Sequence, residues 1–359
     1  MNEFIWPIIE IVIGIILLLT GGELFIQGAI SLSLVLGIPQ IVIGLTVVSL
    51  GTSSPELLVS LNSIFKGSDS LAASNVIGSN IFNILVVLGI SSLITPLKVK
   101  SRIVRRDVPL LISISCAVWA MSSTGLLTWQ AGIFLIFCLT LNTIWEINTI
   151  KENDEDTKKA EPEIEKSQGI ERGNFNIILK LISGIFLLSF GSNTLVNGSQ
   201  SLAILLGVNE IIIGLTIVAT GTSLPELVTS IIAAFKGKTD LAIGNVIGSN
   251  LLNQLLILGS CSIFSGLKGF TIDQSLIKVD LPFMVLTTFA CLPIFWTKGK
   301  ITRIEGFILL NLYIFYIIDK ILFLKGFNYL YEMRVYSFVY FAFFTVFLFA
   351  QERLKISRR

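Results

Sequence analysis

The chain has 359 residues, of which 53% are hydrophobic and only 14% charged, and its mean hydropathy is +0.83. A soluble globule of that balance would expose too much apolar surface. The absence of histidine excludes Ser-His-Asp hydrolysis, HExxH zinc chemistry and histidine-ligated haem.

Apolar stretches long enough to cross a roughly 30 Å hydrocarbon layer, about 20 residues each, recur along the chain. They predict helices near 8 to 34, 39 to 65, 71 to 96, 107 to 122, 126 to 149, 176 to 205, 209 to 235, 241 to 266, 279 to 297, 302 to 324 and 333 to 350. The first begins close to Met1 without a basic flank or small-residue cleavage site, so it reads as retained structure rather than a signal peptide. Cys116, Cys138, Cys261 and Cys291 lie apart inside apolar runs, a spacing of buried free thiols rather than of a disulfide framework or zinc site. Most of the 26 basic residues fall in the inner connections if the N-terminus is outside, so the positive-inside rule predicts N-out and, with eleven spans, C-in. Residues 150 to 175 read as a charged cytoplasmic linker. Their acidic cluster lacks the spacing of a calcium-binding loop.

An internal repeat organises the rest. Residues 44 to 89 align without a gap on residues 214 to 259, and more than half of the positions are identical. Gly14, Gly21, Gly28 and Gly37 pair with Gly184, Gly191, Gly198 and Gly207 at the same offset, so the duplication starts with the first span. The fold expected is an all-α polytopic membrane protein of two five-helix repeats, ten transmembrane helices, with an eleventh helix at the C-terminus. Its boundaries are 1–149 for the first repeat, 150–175 for the linker, 176–325 for the second repeat and 326–359 for the extra helix and basic tail. Five is odd, so the second copy enters from the opposite side and the halves are inverted. Inverted repeats with ion sites near the midplane are a secondary-transporter architecture.

The polar residues sit where the repeat is strongest. GTSSPE (Gly51 to Glu56) and GTSLPE (Gly221 to Glu226) each carry a proline that must kink or unwind the helix, and broken backbone at that depth belongs beside a cavity or inside protein. The carbonyls freed at Gly51 and Gly221 become candidate oxygen ligands beside the carboxylates of Glu56 and Glu226. Thr52 and Ser53 precede Glu56 by four and three residues, as Thr222 and Ser223 precede Glu226, which puts them on one helical face where helicity survives. GSNIFN (Gly78 to Asn83) and GSNLLN (Gly248 to Asn253) add Ser79 with Asn83 and Ser249 with Asn253, each pair four apart. Two carboxylates, two amides and several hydroxyls form an all-oxygen set that suits hard cations such as Ca²⁺ or Na⁺. Serines and glycines alone would fit close helix packing. A carboxylate at mid-span costs at least about 2.5 to 3.5 kcal/mol on insertion scales, which argues for a role in function. Asn75, Asn80, Asn245 and Asn250 fit cross-helix hydrogen bonds as well as ligation, and Glu23, whose repeat mate is Asn193, fits a gate or helix-pairing role better than a ligand.

The duplicated GTSxPE followed by NVIGSNxxN resembles the α-repeats of the sodium/calcium exchanger family, within the cation/calcium antiporter superfamily. The resemblance covers the first ten spans. It implies an inverted-repeat antiporter, not an enzyme, that exchanges Na⁺ for Ca²⁺ by alternating access, with no cofactor because the ions are cargo. Its site would lie on the second, third, seventh and eighth helices: Glu56 and Glu226 as central carboxylates, Thr52, Ser53, Ser79, Thr222, Ser223 and Ser249 as hydroxyl ligands, and backbone carbonyls near Ser49 and Ala219. Some members carry an aspartate where Asn253 stands here. Its mate Asn83 is also neutral, so the site offers two formal negative charges, enough for one Ca²⁺ or two Na⁺. The partners expected are these ions and a lipid bilayer, without nucleic acid, and a prokaryotic plasma membrane fits a chain of this size. A proton/calcium exchanger using the same two glutamates is the alternative. A channel and an intramembrane hydrolase suit the inverted pair and the hydroxyl-rich setting less well.

Overall fold

The computed structural model describes residues 2–152, 174–207, 219–296 and 299–324. In chain order these form α1 (Asn2–Leu36), α2 (Gln40–Thr52), α3 (Ser54–Phe65), α4 (Asp69–Ile94), α5 (Val108–Met121), α6 (Trp129–Glu152), α7 (Asn174–Leu205), α8 (Ala219–Gly221), α9 (Leu224–Phe235), α10 (Thr239–Phe264), α11 (Leu276–Trp296) and α12 (Arg303–Leu324). Residues 209–218 of the seventh expected span, most of the charged linker and the eleventh helix with its basic tail lie outside the described residues.

Among the described residues, five helices, α1, α4, α7, α10 and α11, contain stretches long and apolar enough to cross a membrane. α2 and α3 make one further crossing if they act as a single span bent by 44°. The structure therefore has the polytopic, two-copy helical architecture that the repeat predicts. Burial sorts the copies into inner and outer helices. The most apolar windows of α4 and α10 are 78% and 89% buried, against 22% and 28% in α1 and α7. Because α1 and α7 are apolar nearly all round yet mostly uncovered by protein, their outer faces are suited to lipid.

α1 and α7 pack on each other through their glycines. A Cβ at Gly14 would lie 2.6 Å from the Leu195 backbone nitrogen, and one at its mate Gly184 would lie 2.7 Å from Phe25 Cβ. Only a residue without a side chain permits that approach.

Four two-residue strands, absent from the helix-only expectation, tie the copies together: β1 (Leu97–Lys98), β2 (Leu126–Leu127), β3 (Phe270–Thr271) and β4 (Lys300–Ile301). β1 pairs antiparallel with β4, Leu97 opposite Ile301, and β2 with β3, Leu127 opposite Phe270. Each clip joins one connection of the first copy to one of the second. Lys100 bridges to Asp240 beside the first clip at 2.7 Å. On the second, Asp69 accepts from the Thr271 hydroxyl at 2.7 Å. All four cysteines are free, Cys261 and Cys291 buried.

Candidate ion-binding site

The predicted helix break is present in both copies, but the bend falls at Ser53 and Ser223 rather than at the prolines. Ser53 has φ −83° and ψ 3°, and Ser223 φ −90° and ψ 6°. Pro55 and Pro225 stand in the first turn of α3 and α9, where a missing N–H costs nothing and a fixed φ favours helix initiation. The same placement puts Glu56 and Glu226 in the first turn, where a carboxylate is favoured by the helix dipole and by free backbone N–H groups.

Both glutamates are fully buried. Thr52 and Ser53 do not complete a continuous face with Glu56, because helicity is interrupted between them. Instead the hydroxyls cross over. Ser53 donates to Oε1 of Glu226 at 3.0 Å and Ser223 donates to Oε1 of Glu56 at 3.2 Å. Ser223 also bonds Ser79 at 2.9 Å, and Thr52 lies 3.5 Å from Ser249. The structure thus brings together Glu56, Glu226, Thr52, Ser53, Ser79, Ser223 and Ser249 at the junction of the repeats. The second oxygen of each glutamate, Oε2, is buried without a hydrogen-bond partner among the described residues.

Asn83 and Asn253 sit one turn beyond Ser79 and Ser249. Each opens a π-helical segment, Asn83–Val87 and Asn253–Leu258, and each is fully buried with both amide atoms unpartnered among the described residues. Buried amides are normally satisfied, and π turns recur at functional sites. Ser49 follows a third such segment, Gly44–Val48, and spends its hydroxyl on the Leu45 carbonyl at 2.7 Å. Ala219 opens α8. Thr222 donates to Asn75 Oδ1 at 3.1 Å, as its mate Thr52 does to Asn245. The Gly221 carbonyl, a candidate ligand from its proline, accepts the Ser192 hydroxyl of α7.

Asn75 and Asn245 are the struts of this arrangement. Asn245 accepts from Thr52 at 3.0 Å and donates to Thr229 and Ser230, both at 3.0 Å. Asn75 likewise accepts from Thr222 and donates to Ser60 at 3.1 Å. Asn250 donates to the Asn80 carbonyl at 3.1 Å, joining α10 to α4. Ser60 and Ser230 were not singled out from sequence, although they are identical repeat mates. Gln254 was also missed. It is fully buried with both amide atoms unpartnered among the described residues, where the first repeat has apolar Ile84. Glu23 lies away from the site and bridges to Lys236 at 2.5 Å.

The sequence pattern of the sodium/calcium exchanger protein family matches residues 6–146 and 176–322. The putative antiporter CaxA of Alkalimonas amylolytica is 36% identical over 315 residues, covering 86% of this chain and 96% of that protein. The sodium/calcium exchanger MaX1 of Methanosarcina acetivorans is 28% identical over 340 residues, 86% of this chain and 96% of that one. Among solved structures, the sodium-calcium exchanger NCX_Mj, soaked with Na⁺ and Ca²⁺, superposes with a TM-score of 0.74 at 27% identity, covering 88% of this chain and 98% of that one.

Proposed function

The chain belongs to the sodium/calcium exchanger family, and from that premise we propose that it exchanges Na⁺ for Ca²⁺ by alternating access at one shared site. At the coarser level it is a membrane cation/calcium antiporter, a transporter rather than an enzyme, and its ions are substrates rather than cofactors. The observation that carries the finer reading is the reciprocal pair of bonds from Ser53 to Glu226 and from Ser223 to Glu56. It supports one site shared by the two repeats, in which both carboxylates would serve the same ion.

Ca²⁺ would be held by Glu56 and Glu226 together, with oxygens of Thr52, Ser53, Ser79, Ser223 and Ser249 around it and the Asn83 and Asn253 amides a turn away. The unpartnered Oε2 atoms are the oxygens free to ligate. Thr222, with its hydroxyl on Asn75, and Ser49 and Ala219 through their carbonyls, complete the proposed set. Two Na⁺ would divide the same oxygens. Either load neutralises two charges that are costly to bury unpaired, so loaded forms cross between the two sides and the empty one resists crossing, which couples the fluxes. The distribution of basic residues supports an outside N-terminus, and a prokaryotic plasma membrane fits this reading.

Calcium uptake into vesicles against an outward Na⁺ gradient at fixed pH tests it, with Glu56→Ala and Glu226→Ala alongside. Sodium-driven uptake that disappears in both variants is the result expected. Uptake that follows only an imposed pH gradient would instead favour proton coupling, which the hydroxyl-bonded carboxyls can also accommodate. Unchanged uptake in either variant removes that glutamate from the site.

A further inference from the structure

α1 and α7 sit unevenly on the helices they cover. Gly22 of α1 approaches α9 so closely that a Cβ there would lie 2.6 Å from Ile232 and 2.9 Å from Val228. The next residue, Glu23, bridges to Lys236 just past the end of α9 and accepts from Gln27 at 2.7 Å. The repeat equivalents of Val228, Ile232 and Lys236 are Leu58, Asn62 and Lys66, and those of Gly22 and Glu23 are Ser192 and Asn193. On that side the packing is missing among the described residues. α7 makes no comparable approach to α3. Leu58 is 68% exposed where its mate Val228 is half-buried, Asn62 is exposed where Ile232 is 9% exposed, and Lys66 and Asn193 are exposed.

In an inverted-repeat transporter the opposite state is approached by exchanging the roles of the two copies. α7 would then cover α3, and α1 would leave α9. The chemistry is not exchangeable. The pair that would meet is Lys66 with neutral Asn193, and polar Asn62 would replace apolar Ile232 beneath it. We propose that Glu23 and Lys236 form a one-sided latch, favouring the state whose passage is closed on the side of the β1–β4 clip. This rests on the alternating-access part of the proposed function. Glu23 and Lys236 are 43% and 30% exposed, and partly exposed ion pairs are weak, so the latch biases the two populations by about threefold rather than locking one.

The test reads the population directly. In the Lys66→Cys/Asn193→Cys double variant, a disulfide reports the opposite state, and the two single-cysteine variants control for the native thiols. Oxidation rates in membranes are compared with Glu23 intact, with Glu23→Gln, with Lys236→Gln, and with the charge swap Glu23→Lys/Lys236→Glu. We expect cross-linking about threefold faster in both neutral variants and a return to the slow rate in the swap. Equal rates in all backgrounds, or no cross-link in any, would overturn the latch. If Glu23→Gln fails to insert, Lys236→Gln and the swap carry the same readout. Calcium self-exchange on the same membranes separates the readings: altered cross-linking without calcium flux would sustain the latch and remove the calcium proposal, whereas unaltered cross-linking with normal flux would remove the latch alone.

Discussion

Ser53 donates its hydroxyl to Glu226 across the boundary between the repeats, 3.0 Å from Oε1, rather than to Glu56 three residues along its own chain. With the reciprocal bond from Ser223 to Glu56, each acid is oriented by the other copy. A hydrogen bond to a charged group contributes about 1.5 to 3 kcal/mol, so Ser53→Ala and Ser223→Ala should each weaken calcium binding by roughly 10- to 100-fold. Half-saturation of calcium uptake checks this. The two variants should resemble each other, and an effect confined to one would mean that the copies do not share a single site.

Asn245 lies at the centre of a buried cluster, bonded to Thr52, Thr229 and Ser230. Its truncation leaves the Thr52 hydroxyl short of one acceptor and removes the bonds that Nδ2 donates to Thr229 and Ser230. Each unsatisfied buried polar group costs about 1 to 3 kcal/mol, so Asn245→Ala should lower the thermal midpoint of the purified protein. Asn245→Asp keeps the acceptor for Thr52 but adds a charge beside Glu226. It should retain more stability than the alanine variant while impairing transport, a split measurable by pairing thermal unfolding with flux.

Much of this architecture is legible in the sequence, for identifiable reasons. A duplicated segment must fold twice in the same way, so the matching of Glu56 with Glu226 and of Asn83 with Asn253 already implied one composite site. Apolar runs marked the helices because lipid imposes their length. The hidden features depend on contacts between distant segments. Nothing local to GTSSPE says that Ser53 bonds the other copy's acid, or that the turn bends at the serine while Pro55 starts the next helix. The π turns at Asn83 and Asn253 follow from packing rather than helix propensity. The β1–β4 and β2–β3 clips are too short to leave a period-two pattern in the sequence.

The α1–α7 contact makes a further demand. A Cβ at Gly184 would fall 2.7 Å from Phe25 Cβ and 2.8 Å from its backbone nitrogen, and backbone cannot yield as a flexible side chain can. Gly184→Ala should therefore separate the two helices, with a penalty of about 1 to 3 kcal/mol for overpacking. Gly14→Ala, which meets the Leu195 backbone at 2.6 Å, should behave alike. A lowered thermal midpoint in both would support the contact, and full stability in either would contradict its closeness.

With a neutral amide at Asn253, charge balance at the proposed site rests on the two glutamates. With Asn83 and Asn253 neutral, Glu56 and Glu226 supply two negative charges, which balance one Ca²⁺ or two Na⁺ without excess. A third Na⁺ would leave net positive charge in a buried pocket, where interactions between charges are weakly screened. The wild-type exchange should then be electroneutral, and uptake should not respond to an imposed membrane potential. Asn253→Asp adds a carboxylate beside the π turn and should admit a third Na⁺, so that each cycle moves one net charge. Calcium uptake measured at fixed ion gradients with potassium diffusion potentials of either sign distinguishes the two. Voltage dependence in the wild type would show that charge balance at the two glutamates does not set the stoichiometry. Its appearance only in Asn253→Asp would show that the side chain at this position does.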